Sequence, residues 1–386
     1  MSPLTRPLIA DDVEIVRRIL SHIDAGTTDE GEAWREPVEN YLDPRRFVDE
    51  MRVLRSLPSV FIPSAAIPNS GDHVERACFG TPLFAVRGSD GRARVFRNGC
   101  RHRGMALVEG SGCSRALVCR YHGWTYRLDG SLSHVPHADA FPDLNTSTRG
   151  LVEVISREVD GLIVIGALDR DCADEAMAGL SDGSLWRDKL LPAKRLVEQN
   201  SVVLQINWKV LIEQFLEGYH IRSTHRETFF PLQYDDLNIV ETFGSNSRIT
   251  FPYRNIERLR DRPESAWTTK ERMTFVYQLF PNVMIATFPD QVIVVVVDPI
   301  DVDHSMFTSY TVATPEVADA ALSPAITAPT LLQQGALEDN EMSMGVQRGL
   351  RSGANAFVEF GRHESAIGHF HANLDRHLAR LTEISG

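Results

Sequence analysis

Cys100-Arg-His102 and Cys119-Arg-Tyr-His122, with sixteen residues between His102 and Cys119, constrain this chain more than any other feature. One C-x-H pair and one C-x-x-H pair must reach a common point, so two loops have to fold back on each other. Two chemistries suit the count. A structural zinc takes four such ligands tetrahedrally. A [2Fe–2S] cluster of mixed ligation takes the thiolates on one iron and the imidazoles on the other. The flanks, Arg103-Gly104 and Gly123-Trp124, favour the cluster, because glycine lets two loops approach closely and aim backbone N–H groups at sulfur. Neutral imidazoles in place of two thiolates also raise the potential of such a cluster, which suits it to passing single electrons.

Composition bounds the rest. A chain of 386 residues is long enough for two domains with proper cores, and 43% hydrophobic with 24% charged content is ordinary for a globular protein. A formal net charge of −12 argues against nucleic acid or an anionic membrane as partner. Five cysteines (Cys78, Cys100, Cys113, Cys119, Cys172) do not make a disulfide framework, and Cys113 reads as a small residue in a Gly-Ser turn. The first 30 residues have no secretory pattern, and the longest apolar run, Val292 to Val297, is far short of the roughly 20 residues that span a bilayer. It reads as a strand buried on both faces. The expectation is a soluble, cytoplasmic protein.

Along the chain, residues 1–45 read as a helical extension, with Asp11-Asp12 capping Val13 to Leu20. Residues 46–168 have the texture of short strands and turns. Leu83 to Val86 and Ala93 to Phe96 flank Gly88-Ser89-Asp90-Gly91, a hairpin signal. Residues 169–386 mix helices (Ala173 to Leu180, Leu331 to Leu350, His363 to Thr382) with strands (Ile249 to Tyr253, Met273 to Leu279, Val292 to Val297). No G-x-G-x-x-G joins a strand to a helix, so the chain shows no dinucleotide fingerprint of its own.

Within the last region, Asn207-Trp208-Lys209 leads to Glu213, Glu217, His220 and His225. Two histidines with a nearby carboxylate can contribute to a two-His-one-carboxylate iron site. Glu217 and His220 share a helix face at i, i+3, but His220 and His225 lie about 140° apart on a regular helix. They converge only if the helix ends or bulges between them. Taken alone, an H-x4-H pair is a weak signal, and two surface histidines are its default reading.

The segments Cys-x-His-Arg-Gly and Cys-x-Tyr-His-Gly-Trp resemble the Rieske domain of the ring-hydroxylating oxygenase family, with Arg120 where that family often has proline. Asn-Trp-Lys-x3-Glu-x3-Glu-x-Tyr-His-x4-His is similar to the mononuclear-iron motif of its α subunits, about 100 residues further on. The resemblance runs from about Tyr41 to the C-terminus. It implies an α+β protein: a β-rich Rieske domain, then a catalytic domain of antiparallel sheet with covering helices, of helix-grip type. It assigns Cys100, His102, Cys119 and His122 to the cluster, and His220, His225 and Asp339 to Fe(II), with Glu338 and Glu341 as alternatives to Asp339. It also implies a head-to-tail homotrimer in which Glu217, where many members have Asp, bridges His122 of one subunit to His220 of the next. Gln214 stands where many members have Asn.

The function implied is that of a terminal oxygenase. A separate ferredoxin or flavin reductase supplies electrons from NAD(P)H, which this chain meets only indirectly, and O2 is used to hydroxylate an organic substrate, here read as aromatic. The Leu-Glu-x-Tyr-His form resembles the carnitine and glycine-betaine branch, so oxidation of a quaternary ammonium compound is the alternative. A Rieske electron carrier with a non-catalytic binding domain is the rival from another class. Phe215, Phe229, Phe230, Tyr234, Phe251, Tyr253, Tyr277 and Phe288 are candidate pocket aromatics, and ordinary core packing is the competing reading for most of them.

Overall fold

The computed structural model describes residues 11–168, 190, 195–316 and 329–385. Two compact units emerge. One holds the described residues from Arg55 to Arg195, and the other joins those up to Leu54 with those from Leu196 onward. The sequence-expected helix at Ala173 to Leu180, and Cys172, lie outside the described residues.

The first unit is built from short antiparallel strands. A five-stranded sheet is centred on the hairpin Thr81–Arg87 and Ala93–Arg97, which the Gly-Ser-Asp-Gly turn closes as expected. A smaller sheet of Leu117–Val118, Thr125–Tyr126 and Leu132–His134 supports the second ligand loop. The core of this unit gathers Phe84, Phe96, Leu117, Trp124, Tyr126 and Leu132 together with Cys100 and Cys119. Both cysteines are therefore embedded in apolar packing.

The second unit begins with helix α1 (Asp12–Ala25), capped by Asp11, whose carboxylate accepts from Val13 N at 2.8 Å. Its apolar stripe, Ile15, Val16, Ile19 and Leu20, packs with Leu237, Ile239, Ile256, Leu259 and Met273. The N-terminal lead-in is thus part of this unit's core. Helix α2 (Pro44–Arg55) follows, then strand β1 (Arg195–Leu204), helix α3 (Trp208–Glu213) and the single turn α4 (Ile221–Thr224). The strands β2 (Val240–Phe243), β3 (Asn246–Pro252), β4 (Met273–Leu279), β5 (Val283–Thr287), β6 (Gln291–Pro299) and β7 (Ser305–Ala313) complete a seven-stranded sheet of order β1-β7-β6-β5-β4-β3-β2. Its pairs from β7 to β2 are antiparallel. Helices α5 (Pro329–Leu350) and α6 (Ser365–Ser385) close the chain. Helix α3 packs on β6 and α5, α4 on α5, and α6 on β2 and β3. No helix among the described residues is long and apolar enough to cross a membrane.

The Asn207-Trp208-Lys209 triplet explains why α3 sits where it does. Asn207 caps the helix through Lys209 N, and its amide donates to Tyr41 O and Val302 O at 2.9 Å each. Trp208 Nε1 and Lys209 Nζ both donate to Glu50 Oε2 on α2, at 2.9 and 2.8 Å, with Glu50 and Lys209 side chains each only 1% exposed. Removing one partner of a buried pair leaves an uncompensated charge. Glu50→Gln is expected to cost about 3–5 kcal/mol by chemical denaturation. A loss under about 1 kcal/mol, the scale of a surface pair, would contradict this anchoring role.

Candidate metal centres and cavity

The two ligand loops of the first unit are built alike. In one, Cys100 N donates to Met105 O and Gly104 N to Cys100 O; in the other, Cys119 N donates to Trp124 O and Gly123 N to Cys119 O. Gly104 (φ 80°) and Gly123 (φ 71°) adopt the left-handed conformation that closes each loop. The His102 and His122 rings meet edge to face at 4.7 Å, and His102 stacks on Trp124 at 5.0 Å. Asn98 braces the first loop, receiving Leu107 N and Val108 N and donating to Val108 O. The two histidine rings therefore meet, and the two cysteines share one apolar core, with the cysteines buried and His122 exposed.

A [2Fe–2S] cluster suits this donor set. His102 Nδ1 is buried without a hydrogen-bond partner among the described residues, as a metal-directed nitrogen would be. Burial pushes the Cys100 thiol pKa up, so a thiolate there calls for a cation beside it. Tyr126 adds a feature that sequence reading missed. Its hydroxyl accepts from Arg101 N at 2.9 Å, which turns its own hydrogen toward Cys100 Sγ, 3.3 Å away. Hydrogen bonds to cluster sulfurs raise the reduction potential. Tyr126→Phe is expected to lower the midpoint by about 40 mV if that bond is worth about 1 kcal/mol, as a redox titration followed by EPR will read. An unchanged midpoint would show that the hydroxyl does not tune the cluster.

In the second unit His220 and His225 cap the one-turn helix α4: the helix ends at Thr224, His225 leaves it at φ −99° and ψ 36°, and the two rings lie 5.1 Å apart. Their donor atoms and a carboxylate oxygen of Asp339 on α5 all lie within 4.8 Å of one another. Asp339 Oδ1 is 2.9 Å from His225 Nε2 and 3.5 Å from His220 Nε2. Each ring turns its other nitrogen to a second carboxylate. His220 Nδ1 pairs with Glu217, and His225 Nδ1 with Glu338 at 2.8 Å. Glu217 also receives the backbone N–H groups of Tyr219 and His220. Glu341 is exposed on α5 and is not in the cluster. Thus Asp339 faces both imidazoles, while Glu338 stands behind one of them.

The electrostatics follow from this packing. Burial opposes protonation of His220, but Glu217 and Asp339 outweigh it and lift its pKa to about 10. Burial likewise opposes ionisation of Asp339, and hydrogen bonds from the two histidines overcome it, holding the carboxyl below its ordinary range. Two imidazoles and one carboxylate, all turned to one point, are the donor set of a non-haem ferrous site. Glu213, which sequence reading left without a role, accepts from Tyr41 Oη at 2.7 Å and from His371 Nε2 on α6 at 2.8 Å, fixing the end of α3 just before the site.

The cluster opens on a cavity of about 540 Å³, and His220, His225 and Asp339 are among its lining residues. Of the eight candidate aromatics, Phe215, Phe229, Phe251 and Phe288 line it, and Phe307 joins them. Alternate residues of β7, Phe307, Ser309 and Thr311, face it, a period-2 signal the sequence does carry. Phe230, Tyr234, Tyr253 and Tyr277 do not line it. Phe230 packs under Arg222 and Arg254, whereas Tyr253 and Tyr277 are buried. Gly335 on α5 leaves room for the Phe229 ring, which packs edge to face on His225 at 4.8 Å. Gln214 also lines the cavity and accepts from Ser343 Oγ at 2.5 Å.

Residues 59–149 match the Rieske [2Fe-2S] domain model, and residues 193–380 match the ring hydroxylating alpha subunit (catalytic domain) model. The glycine betaine monooxygenase oxygenase subunit of Chromohalobacter salexigens is 32% identical over 223 residues, covering 57% of this chain and 48% of the relative. The large oxygenase component of the naphthalene 1,2-dioxygenase system of Pseudomonas fluorescens is 31% identical over 192 residues, covering 47% and 42%. The chain thus spans about half the length of the curated relatives it matches. Among solved structures, a quaternary ammonium Rieske monooxygenase in complex with L-carnitine superposes with a TM-score of 0.74 at 21% identity, covering 90% of this chain and 96% of that one. Naphthalene 1,2-dioxygenase from Rhodococcus sp. bound to indole superposes with a TM-score of 0.75 at 20% identity, covering 95% and 98%. At these identities the likeness is one of fold.

Proposed function

Because the chain belongs to the Rieske non-haem iron oxygenases, as an α subunit of the ring-hydroxylating type, we propose that it is a terminal oxygenase acting on a small, largely apolar organic substrate. The observation that carries this reading is the His220, His225 and Asp339 cluster opening directly on the phenylalanine-lined cavity. Cys100, His102, Cys119 and His122 would hold the [2Fe–2S] cluster, and His220, His225 and Asp339 the ferrous ion. When bound, these groups supply single electrons and a site for O2 activation. Each O2 is consumed with two electrons and two protons, and the electrons come from a separate NAD(P)H-dependent reductase.

The chain's own residues do the rest. Glu217 holds the Nδ1 proton of His220 and so presents Nε2 to the metal. In a head-to-tail homotrimer the same carboxylate bridges to His122 of a neighbouring copy, the route by which electrons cross between subunits. Phe215, Phe229, Phe251, Phe288 and Phe307 exclude water from the substrate's reacting face. An electron carrier with a non-catalytic binding domain has no use for a triad of this kind beside a cavity.

An arene is the better fit to the lining, which contains no lysine or arginine among the described residues. The carboxylate of carnitine or glycine betaine would be buried there without a counter-charge, which is costly. The second reading, a quaternary ammonium substrate, is favoured by the relatives and by Glu198 at the lining, with ring faces to receive the cation. Purified protein with a surrogate reductase, assayed by product mass under ¹⁸O2, tests both. An apolar arene is expected to be used with kcat/KM about a hundredfold above glycine betaine or carnitine. Preferential oxidation of trimethylammonium compounds would reverse the order of the two readings.

A further inference from the structure

We propose that Glu338 is a positioning residue for the mononuclear centre: it holds Nδ1 of His225, so that Nε2 is the nitrogen left facing Asp339 and the site. This rests on the proposed iron site and adds a role that residue identity alone does not assign. Glu338 and Asp339 are consecutive on α5, so their side chains leave the helix about 100° apart. They take opposite sides of one imidazole. Glu338 Oε2 meets Nδ1 at 2.8 Å, and Asp339 Oδ1 meets Nε2 at 2.9 Å.

The carboxylate is itself fixed. Thr228 Oγ1 donates to the same Oε2 at 2.7 Å, and Gln334 Nε2, one helical turn earlier, donates to Oε1 at 3.3 Å. His225 is buried, its side chain only 2% exposed, and Phe229 packs on its ring, so rotation to another tautomer or orientation has no room. An imidazole whose Nδ1–H is committed to a carboxylate has one free lone pair, on Nε2. The arrangement repeats on His225 what Glu217 does on His220, with the second carboxylate drawn from a distant helix. Glu338 is therefore no alternative to Asp339 as a ligand. Its engaged oxygen lies behind the ring.

Ferrous affinity, measured anaerobically on the full-length protein by competition with a chromophoric chelator, tests this. Glu338→Ala is expected to weaken binding by about 10- to 100-fold, the scale seen when such outer partners are lost, with the Rieske EPR signal unchanged. Glu338→Gln keeps a carbonyl acceptor and is expected to recover most of that loss. Affinity of Glu338→Ala within about twofold of the unmodified protein would overturn the proposal. So would loss of iron in Glu338→Ala with retention in Asp339→Ala, which would make Glu338 the ligand. If Asp339→Ala and His225→Ala also bind iron normally, the iron site itself is misplaced, a different failure. Should Glu338→Ala not fold, the Co(II)-substituted protein decides the matter by NMR. Two exchangeable, shifted imidazole N–H protons are expected, and Glu338→Gln should speed the exchange of one only. Unaltered exchange of both would refute the proposal.

Discussion

Replacing Asp339 by alanine is expected to empty the mononuclear site, leave the Rieske cluster intact and lower product formation by about three orders of magnitude or more. The size follows from the chemistry, since a catalytic metal contributes several kcal/mol of stabilisation and each 1.36 kcal/mol is about tenfold in rate. The direction follows from geometry. Among the described residues Asp339 is the one carboxylate facing both Nε2 atoms, and it supplies the only negative charge in the set of three. Iron analysis and EPR on the same sample check it. The variant should lose one iron per chain while the reduced cluster keeps its spectrum. Retention of that iron would remove Asp339 from the ligand set.

Glu217→Ala is expected to separate electron delivery from metal binding. At saturating Fe(II) the variant should keep both centres, yet coupled turnover should fall by about a hundredfold or more, as when a hydrogen-bonded outer partner with a second duty is removed. Glu217 already receives Nδ1 of His220 and two backbone N–H groups, so its loss also frees the His220 ring. Stopped-flow reoxidation of the reduced cluster, with substrate and O2 present, distinguishes the effects. Slow reoxidation in a metal-replete variant supports the bridge. Near-normal product formation in such a variant would refute it.

How much of this was legible in advance depended on whether the cause was local. The Cys100/His102 and Cys119/His122 pairs announce themselves because their spacing is fixed within short loops, whereas His220 and His225 were read as ligands only through the family resemblance. The hairpin around Gly88 to Gly91 and the strand at Val292 to Val297 were readable from turn chemistry and apolar runs. The parts that Glu213, Glu338, Tyr126 and Phe307 play were not. Glu213 acquires its role only when α6 brings His371 to it, 158 residues further along the chain. Glu338 stands 113 residues from the histidine it supports. The N-terminal segment looked like an appendage because its amphipathic helix has no partner nearby in sequence. Its partners, Leu237 to Met273, lie more than 200 residues away. The motif Asn-Trp-Lys-x3-Glu proved to be scaffold: a cap, a buried ion pair and a strut that hold α3 in place so that Glu217 and His220 can face the cavity.

Metal content of the purified protein bears most directly on the claim that two distinct iron centres share this chain. The expectation is three irons per chain, with a dithionite-reduced EPR signal of average g below 2 that reports mixed cysteine and histidine ligation, and with one iron removable by a mild chelator at the expense of all oxygenation. Two irons with full oxygenation, or zinc in place of the cluster, would contradict it.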